Sequence, residues 1–331
     1  MNLNKLQLAA LSLIQSDACF LYTLVDGQKN AKNVSSNYIM MCQPYIGVFV
    51  DGAEQWCKKV GLEPPALTNE EKMYYTELRQ GHKLFEKTYN EYSQVLCSKF
   101  NESDSYFYNK RSAIEKNFGY YNVETDLCNG EFCGNTIICA LNTPIKILGN
   151  ENVGNTIMGM SVIAGKLAAY LGCIGYSPYN YRDSLIVSYK DYHFFKNCPL
   201  KLRTSLGLEL FSILCVINYA IVFVEQFFID EIPQKFKFAY LQYYYLCDFV
   251  KEINEANNIK IKVDNSLKNR TFRNCLAHYG LGQFLSEEDL MFDDVLKGLT
   301  NKAFGMDYMT TKEILYKFLS DLAEQIKDII F

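Results

Sequence analysis

The sequence predicts a mainly α-helical protein: a C-terminal helical bundle over residues 199–331, preceded by a largely helical region, residues 1–198, with a small β insertion near 118–148. Three observations predict it. Apolar residues recur at helical spacing, most cleanly at Leu315, Phe318, Leu319, Leu322, Ile326, Ile329 and Ile330. Prolines and capping residues divide the second half into four main helices joined by short connections, the pattern of a bundle. Between Phe118 and Leu148 the texture changes to Gly, Asn, Thr and β-branched residues, punctuated by Gly130 and Gly134, which favours short strands.

Taken in order, a first helix is expected from Leu3 to Val25, ending at the turn pair Asp26-Gly27, and a second from Asn37 to Val60 with a break at Pro44. Pro64-Pro65 stops anything that continues, and Thr68 with Glu70 and Glu71 caps a long helix reaching Phe100. After the β insertion, small residues favour a helix from Thr156 to Leu171, and Gly175–Pro199 reads as a connector. In the second half, Pro199 and Pro233 bracket a very apolar helix from Leu202 to Phe228, which is either core or a dimer interface. A further helix runs from Pro233 to Ala256, ended by Asn257-Asn258, and another covers Phe272–Phe284. Ser286 with Asp289 caps a short helix to Leu299, and Thr310 with Glu313 forms the capping box of the last one.

A net charge of −4 excludes general polyanion binding, so any nucleic-acid contact must be a local patch. Aromatic residues make up 15% of the chain and read mainly as bulky core. Twelve cysteines in a chain of this length without a secretion signal fit a reduced, cytoplasmic protein better than a disulfide framework. The uncharged run Leu210–Val224, bounded by Glu209 and Glu225, is shorter than the roughly 20 residues a bilayer crossing needs, so no membrane partner is expected.

Chemistry concentrates in Thr271-Phe272-Arg273-Asn274-Cys275-Leu276-Ala277-His278-Tyr279-Gly280, which holds one of only three histidines, His82, His193 and His278. Arginine offers a planar fork to phosphate oxygens, and histidine shuttles protons near neutral pH. Five residues apart on a helix, the two side chains are not stacked, but both reach one phosphate if the helix begins near Arg273 with an open N-terminus. This pattern resembles the motif of the HEPN superfamily: an Arg, a polar residue, three residues and a His, here Arg273, Asn274 and His278, within the second half of a helical bundle. The resemblance covers roughly residues 200–331.

The resemblance implies a homodimer with a composite active site and metal-independent RNA cleavage by the substrate's own 2′-hydroxyl. The products would carry 2′,3′-cyclic phosphate and 5′-hydroxyl ends. His278 would act as general base or acid, Arg273 would stabilise charge on the phosphoryl oxygens, and Asn274 would orient them. No cofactor or metal is called for. Enzymes of this kind resemble toxins or antiviral defence effectors, which implies an inhibitor or activator protein; catalytically silent members of the superfamily act as binding or dimerisation modules. Lys260, Lys262, Lys268 and Arg270 form a candidate RNA-binding patch beside the motif. Tyr279 follows the histidine directly, and Glu209 and Glu225 are candidates for a supporting acid.

Other signals are set aside. Gly149–Thr156 has P-loop spacing, but Asn155 stands where the motif needs lysine. Cys128 and Cys133 have a zinc-like spacing without a second pair. Cys275 lies three residues before His278, yet Cys–His enzymes usually draw the two groups from separate elements.

Overall fold

A capping box starts the first helix, α1 (Lys5–Asn30): the Asn4 side chain accepts from the Gln7 backbone, and the Gln7 side chain accepts from that of Asn4. The computed structural model describes residues 3–121, 123–142, 153–171, 179–291 and 295–331. α1 runs through the expected stop at Asp26-Gly27, because a Cβ at Gly27 would lie 2.3 Å from the Phe227 ring; the glycine there admits a close neighbour instead of making a turn. Ser35 caps α2 (Ser36–Met41). Pro44 then sits in the first turn of α3 (Gln43–Val60), where its missing N–H costs nothing.

Thr68 and Glu71 form the capping box of α4 (Asn69–His82). The helix expected to reach Phe100 stops there, since a second capping box, Thr88 with Glu91, restarts the chain as α5 (Tyr89–Lys110). α6 (Ala113–Phe118) follows. The β insertion is a hairpin of β1 (Glu124–Cys128) and β2 (Glu131–Asn135), turned by Asn129 and Gly130 at φ 50° and 83°. From Thr136 the insertion is helical: α7 (Thr136–Asn142) precedes α8 (Val153–Tyr170), and residues 143–148 lie outside the described residues, as does the 149–152 part of the P-loop-like stretch. The expected connector holds a strand, β3 (Val187–Asp191), which pairs with β1 to give an antiparallel sheet of order β2-β1-β3.

In the second half, α9 (Ser205–Asn218), a π-helical turn (Tyr219–Val224) and α10 (Glu225–Phe227) form one continuous rod. α11 (Pro233–Asn257) ends at Asn258 in the left-handed conformation. α12 (Arg270–His278) stops at His278, short of the predicted Phe284, because Tyr279 turns left-handed at φ 54°. Ser286 and Asp289 do form a box, but it heads a single 3-10 turn. α13 (Val295–Phe304) and α14 (Tyr308–Ile330) complete the chain. Asp307, not Thr310, caps α14, accepting from the Thr310 backbone at 3.0 Å.

The protein is thus mainly helical with one small antiparallel sheet. The apolar core continues across residues 198 and 199, where a domain boundary was expected. Phe20 of α1 packs on Phe228 and Phe238, Tyr38 of α2 stacks on Phe223 at 4.0 Å, and Phe132 of β2 stacks on Phe331. The α9–α10 rod is buried within its own chain, which accounts for its apolar character without a dimer. It and α1 are the two helices among the described residues long and apolar enough to cross a membrane.

A polar node ties the halves together. Asp17 of α1, fully buried, pairs with Lys237 of α11 and accepts from Tyr45 of α3 at 2.8 Å, Gln234 at 2.7 Å and Tyr279. A buried pair survives desolvation only when its remaining bonding capacity is filled, and these neighbours fill it. Burial pushes the Lys237 ammonium below its usual range, opposed by Asp17. The same bond explains Tyr279, whose left-handed backbone costs about 1–2 kcal/mol in a residue other than glycine.

Candidate functional site

α12 carries Arg273, Asn274 and His278. Asn269 caps it, its side chain accepting from the Phe272 backbone at 3.0 Å, while its backbone N–H donates to the Tyr240 hydroxyl. The helix therefore begins before Arg273 with its N-terminus occupied, and His278 sits at the opposite end. The helix-dipole attraction expected at an open N-terminus does not act on His278.

Asn274 and His278, four residues apart, share a face and line an open cleft of about 640 Å³. Its other walls are the start of α1 (Asn4, Gln7), the end of α3 (Gln55, Trp56, Lys59) and the turn after α12 (Gly280, Gln283). That volume suits a small-molecule or nucleotide-sized ligand. Arg273 lies outside this lining, its guanidinium stacked over Tyr244 at 5.0 Å and Tyr245 at 5.5 Å. His278 Nδ1 and Arg273 Nε are buried without a hydrogen-bond partner among the described residues. A buried polar atom left this way is costly.

Around His278 stand Arg79 of α4, Asp51 of α3, Arg273 and Lys83. Burial first, and then the Arg79 charge, hold the imidazole below its ordinary value near 6.5, against the opposing pull of Asp51. The ring is therefore neutral near pH 7, the form a general base needs. Arg79 pairs with Asp51 at 3.0 Å, and Gln55 donates to the same carboxylate at 2.8 Å.

Two glycines bring these groups together. A Cβ at Gly47 would lie 2.3 Å from the Arg79 backbone nitrogen, so α3 and α4 touch backbone to backbone. A Cβ at Gly52 would lie 2.5 Å from the Ala277 carbonyl oxygen and 3.0 Å from the Tyr279 ring. Asp51, Arg79, Lys59 and Trp56 were not singled out from the sequence. The legible signal was the pair of glycines, Gly47 and Gly52, inside one helix, which marks close backbone approach.

The remaining predicted residues are distributed as follows. Lys268 stays beside the motif, 5.4 Å from the Tyr244 ring that Arg273 also covers, and pairs with Asp248. Arg270 is exposed in the first turn of α12. Lys260 and Lys262 lie beside Asn254, whose side chain bonds Ile261, and Gln325, which bonds Lys262. That is ten residues along α11 from Tyr244, about 15 Å of helix rise, so they do not flank the motif. Tyr279 is buried at the Asp17 node. Glu225 bonds Lys235, Lys312 and Tyr316, which hold its carboxyl below the usual range despite burial. Glu209 is wholly buried in α9 near Tyr89, whose phenol is pushed up to about 12 by burial and by this carboxylate. Neither glutamate is among the charged groups around His278; Asp51 is the acid there.

Cys275 is buried and its thiol pushed up to about 11 by desolvation, unsuited to nucleophilic attack. Cys128 and Cys133 interact across the β1–β2 hairpin, and no group of three metal-ligating side chains occurs among the described residues. His193 is buried 3.2 Å from Asp104. Comparison with protein-family models, with characterised proteins and with solved structures gives no match for this chain.

Proposed function

We propose that the protein is a metal-independent endoribonuclease of HEPN type. The observation that carries this reading is His278 itself: a neutral, half-buried imidazole bordering a nucleotide-sized cleft, with Arg79, Arg273 and Lys83 around it. His278 would take the proton of the substrate 2′-hydroxyl as that oxygen attacks the adjacent phosphorus, and the 5′-oxygen would leave as a hydroxyl, taking up a proton from water. The bond formed is 2′-O–P and the bond broken is P–O5′. Arginines beside the phosphate would offset the charge on its equatorial oxygens, and Asn274, on the cleft wall, would hold one of them.

The RNA-binding role falls to Lys268 and Arg270 beside α12 and to Lys59 across the cleft, with Lys260 and Lys262 too distant to act on the same phosphate. Residues 1–198 shape the cleft, since α1, α3 and α4 supply most of its walls and charges. We further propose a homodimer with motifs facing each other, and a cytoplasmic toxin or antiviral effector restrained by an inhibitor or released by an activator. A second reading, a catalytically silent binding module, draws support from Arg273 lying outside the cleft lining.

RNA cleavage with EDTA present tests the choice. Cleavage leaving cyclic phosphate ends, abolished in folded Arg273→Ala and His278→Ala variants, supports the ribonuclease. Intact RNA across several substrates, with folded wild-type protein, supports the binding module.

A further inference from the structure

Far from general polyanion character overall, the chain gathers positive charge where two segments pack together. These are residues 106–121, spanning the end of α5, α6 and the following turn, and residues 189–203, from β3 to the start of α9. The first holds Lys110, Arg111 and Lys116 against Glu115; the second holds Lys190, Lys196, Lys201 and Arg203 against Asp191. Both acids are committed locally: Glu115 caps α6, and Asp191 accepts from the Tyr121 and Val123 backbones. Asp104, the nearest acid on α5, faces His193. Arg111 donates to the Tyr121 carbonyl and Arg203 to those of Leu200, Lys196 and Cys198. That leaves the lysines Lys110, Lys116, Lys190, Lys196 and Lys201 to outnumber the acids of the two segments, in a protein whose net charge is −4.

Aromatic rings alternate with these cations. Lys116 lies 5.0 Å from the Tyr108 ring, Arg111 is held between Tyr108 at 5.5 Å and Tyr121 at 4.9 Å, and Lys196 covers the other side of the pattern, 5.4 Å from Tyr121. Arg111 is itself 5% exposed, and its Nε has no hydrogen-bond partner among the described residues. Three neighbouring rings face solvent: Tyr108 is 51% exposed, Tyr120 55% and Phe118 76%. Large rings left in water lose burial energy that a folded monomer would otherwise gain.

We propose that this surface is a binding platform for single-stranded RNA, separate from the α12 cleft. Unpaired bases offer π-faces to rings of this kind, and phosphates meet the interleaved cations. A duplex, with its bases already stacked, cannot use exposed rings in this way. None of these residues lines the α12 cleft. The choice of RNA over DNA rests on the ribonuclease reading; the platform itself does not.

The test is fluorescence anisotropy of labelled oligouridine with the full-length His278→Ala protein, which under the ribonuclease reading cannot cut it. Phe118→Ala and Tyr108→Ala are expected each to weaken binding about tenfold. Lys116→Gln is expected to lessen the salt dependence, lowering the log–log slope by about 0.7. Because these side chains are exposed, the variants should keep the wild-type circular dichroism and melting temperature. Unchanged affinity in the double ring variant overturns the proposal, as does tighter binding to phosphatidylserine vesicles than to the oligonucleotide. Loss of binding in the ring variants with no cleavage by wild type would leave the platform standing and sink the ribonuclease. Cleavage by wild type with no effect of the ring variants would do the reverse.

Discussion

Replacing Gly52 by alanine probes the contact on which the candidate site depends. The new Cβ would lie 2.5 Å from the Ala277 carbonyl oxygen, whereas a carbon–oxygen contact ordinarily sits near 3.3 Å. Relief requires α3 and α12 to part by roughly 0.8 Å, the difference between those distances. Alanine in a helix gains about 1 kcal/mol over glycine, while overpacking a filled interface costs about 1–3 kcal/mol. The net loss is about 0–2 kcal/mol, a fall of up to roughly 3 °C in Tm. The catalytic penalty should be far larger, because a displacement of about 1 Å can cost on the order of a hundredfold in rate. Gly165→Ala on α8 is the control: its Cβ meets nothing within 4 Å, and it should stabilise the protein by about 0.5–1 kcal/mol with no change in rate. Thermal melts and single-turnover RNA cleavage on the two variants provide the assay. Wild-type cleavage rates in Gly52→Ala would refute the claim that α3 sets the position of His278.

Other expectations follow from the same geometry. Asp17→Leu should destabilise the fold by about 3–5 kcal/mol by leaving Lys237 buried and unpaired, and adding Lys237→Met should recover much of that loss in urea melts. If the double variant is no better than the single one, the ion pair is not what makes Asp17 costly to lose. The lowered His278 pKa has a definite sign: as pH falls through 6.5 the unfolded chain takes up the proton first, so the His278 contribution to stability declines below pH 6.5 and is constant above it. The acid limb of kcat/KM should likewise fall below 6.5, and a limb above 7 would exclude His278 as the base. Arg79→Gln removes a positive charge beside the ring and should raise the His278 pKa, read directly from the imidazole NMR titration. An unchanged or lowered pKa would refute the claim that the Arg79 charge acts on the ring.

Local chemistry made most of the helices legible in the sequence. Capping boxes at Thr68 and at the acids that follow it, prolines at Pro44 and Pro233, and the asparagines after Ala256 act through neighbouring residues, so the chain alone carries them. The apolar stripe of α14 was readable for the same reason, although its cap lay at Asp307, not Thr310, because either side chain satisfies the same local rule. The motif on α12 was found because its three residues are close in sequence. What the sequence did not disclose is everything that reaches the motif from elsewhere. Gly27 was read as a stop because a glycine's local effect and its packing effect look alike until Phe227 arrives from the far end of the chain. Asp51 and Arg79 carry no local signature; they matter because Gly47 and Gly52 let three backbones meet at one point. Tyr279 read as a supporting group directly after His278, and burial against Asp17 makes it an anchor instead. Short-range preferences therefore determined the elements, whereas the surroundings of His278 were decided by long-range packing, whose contacts depend on which faces meet.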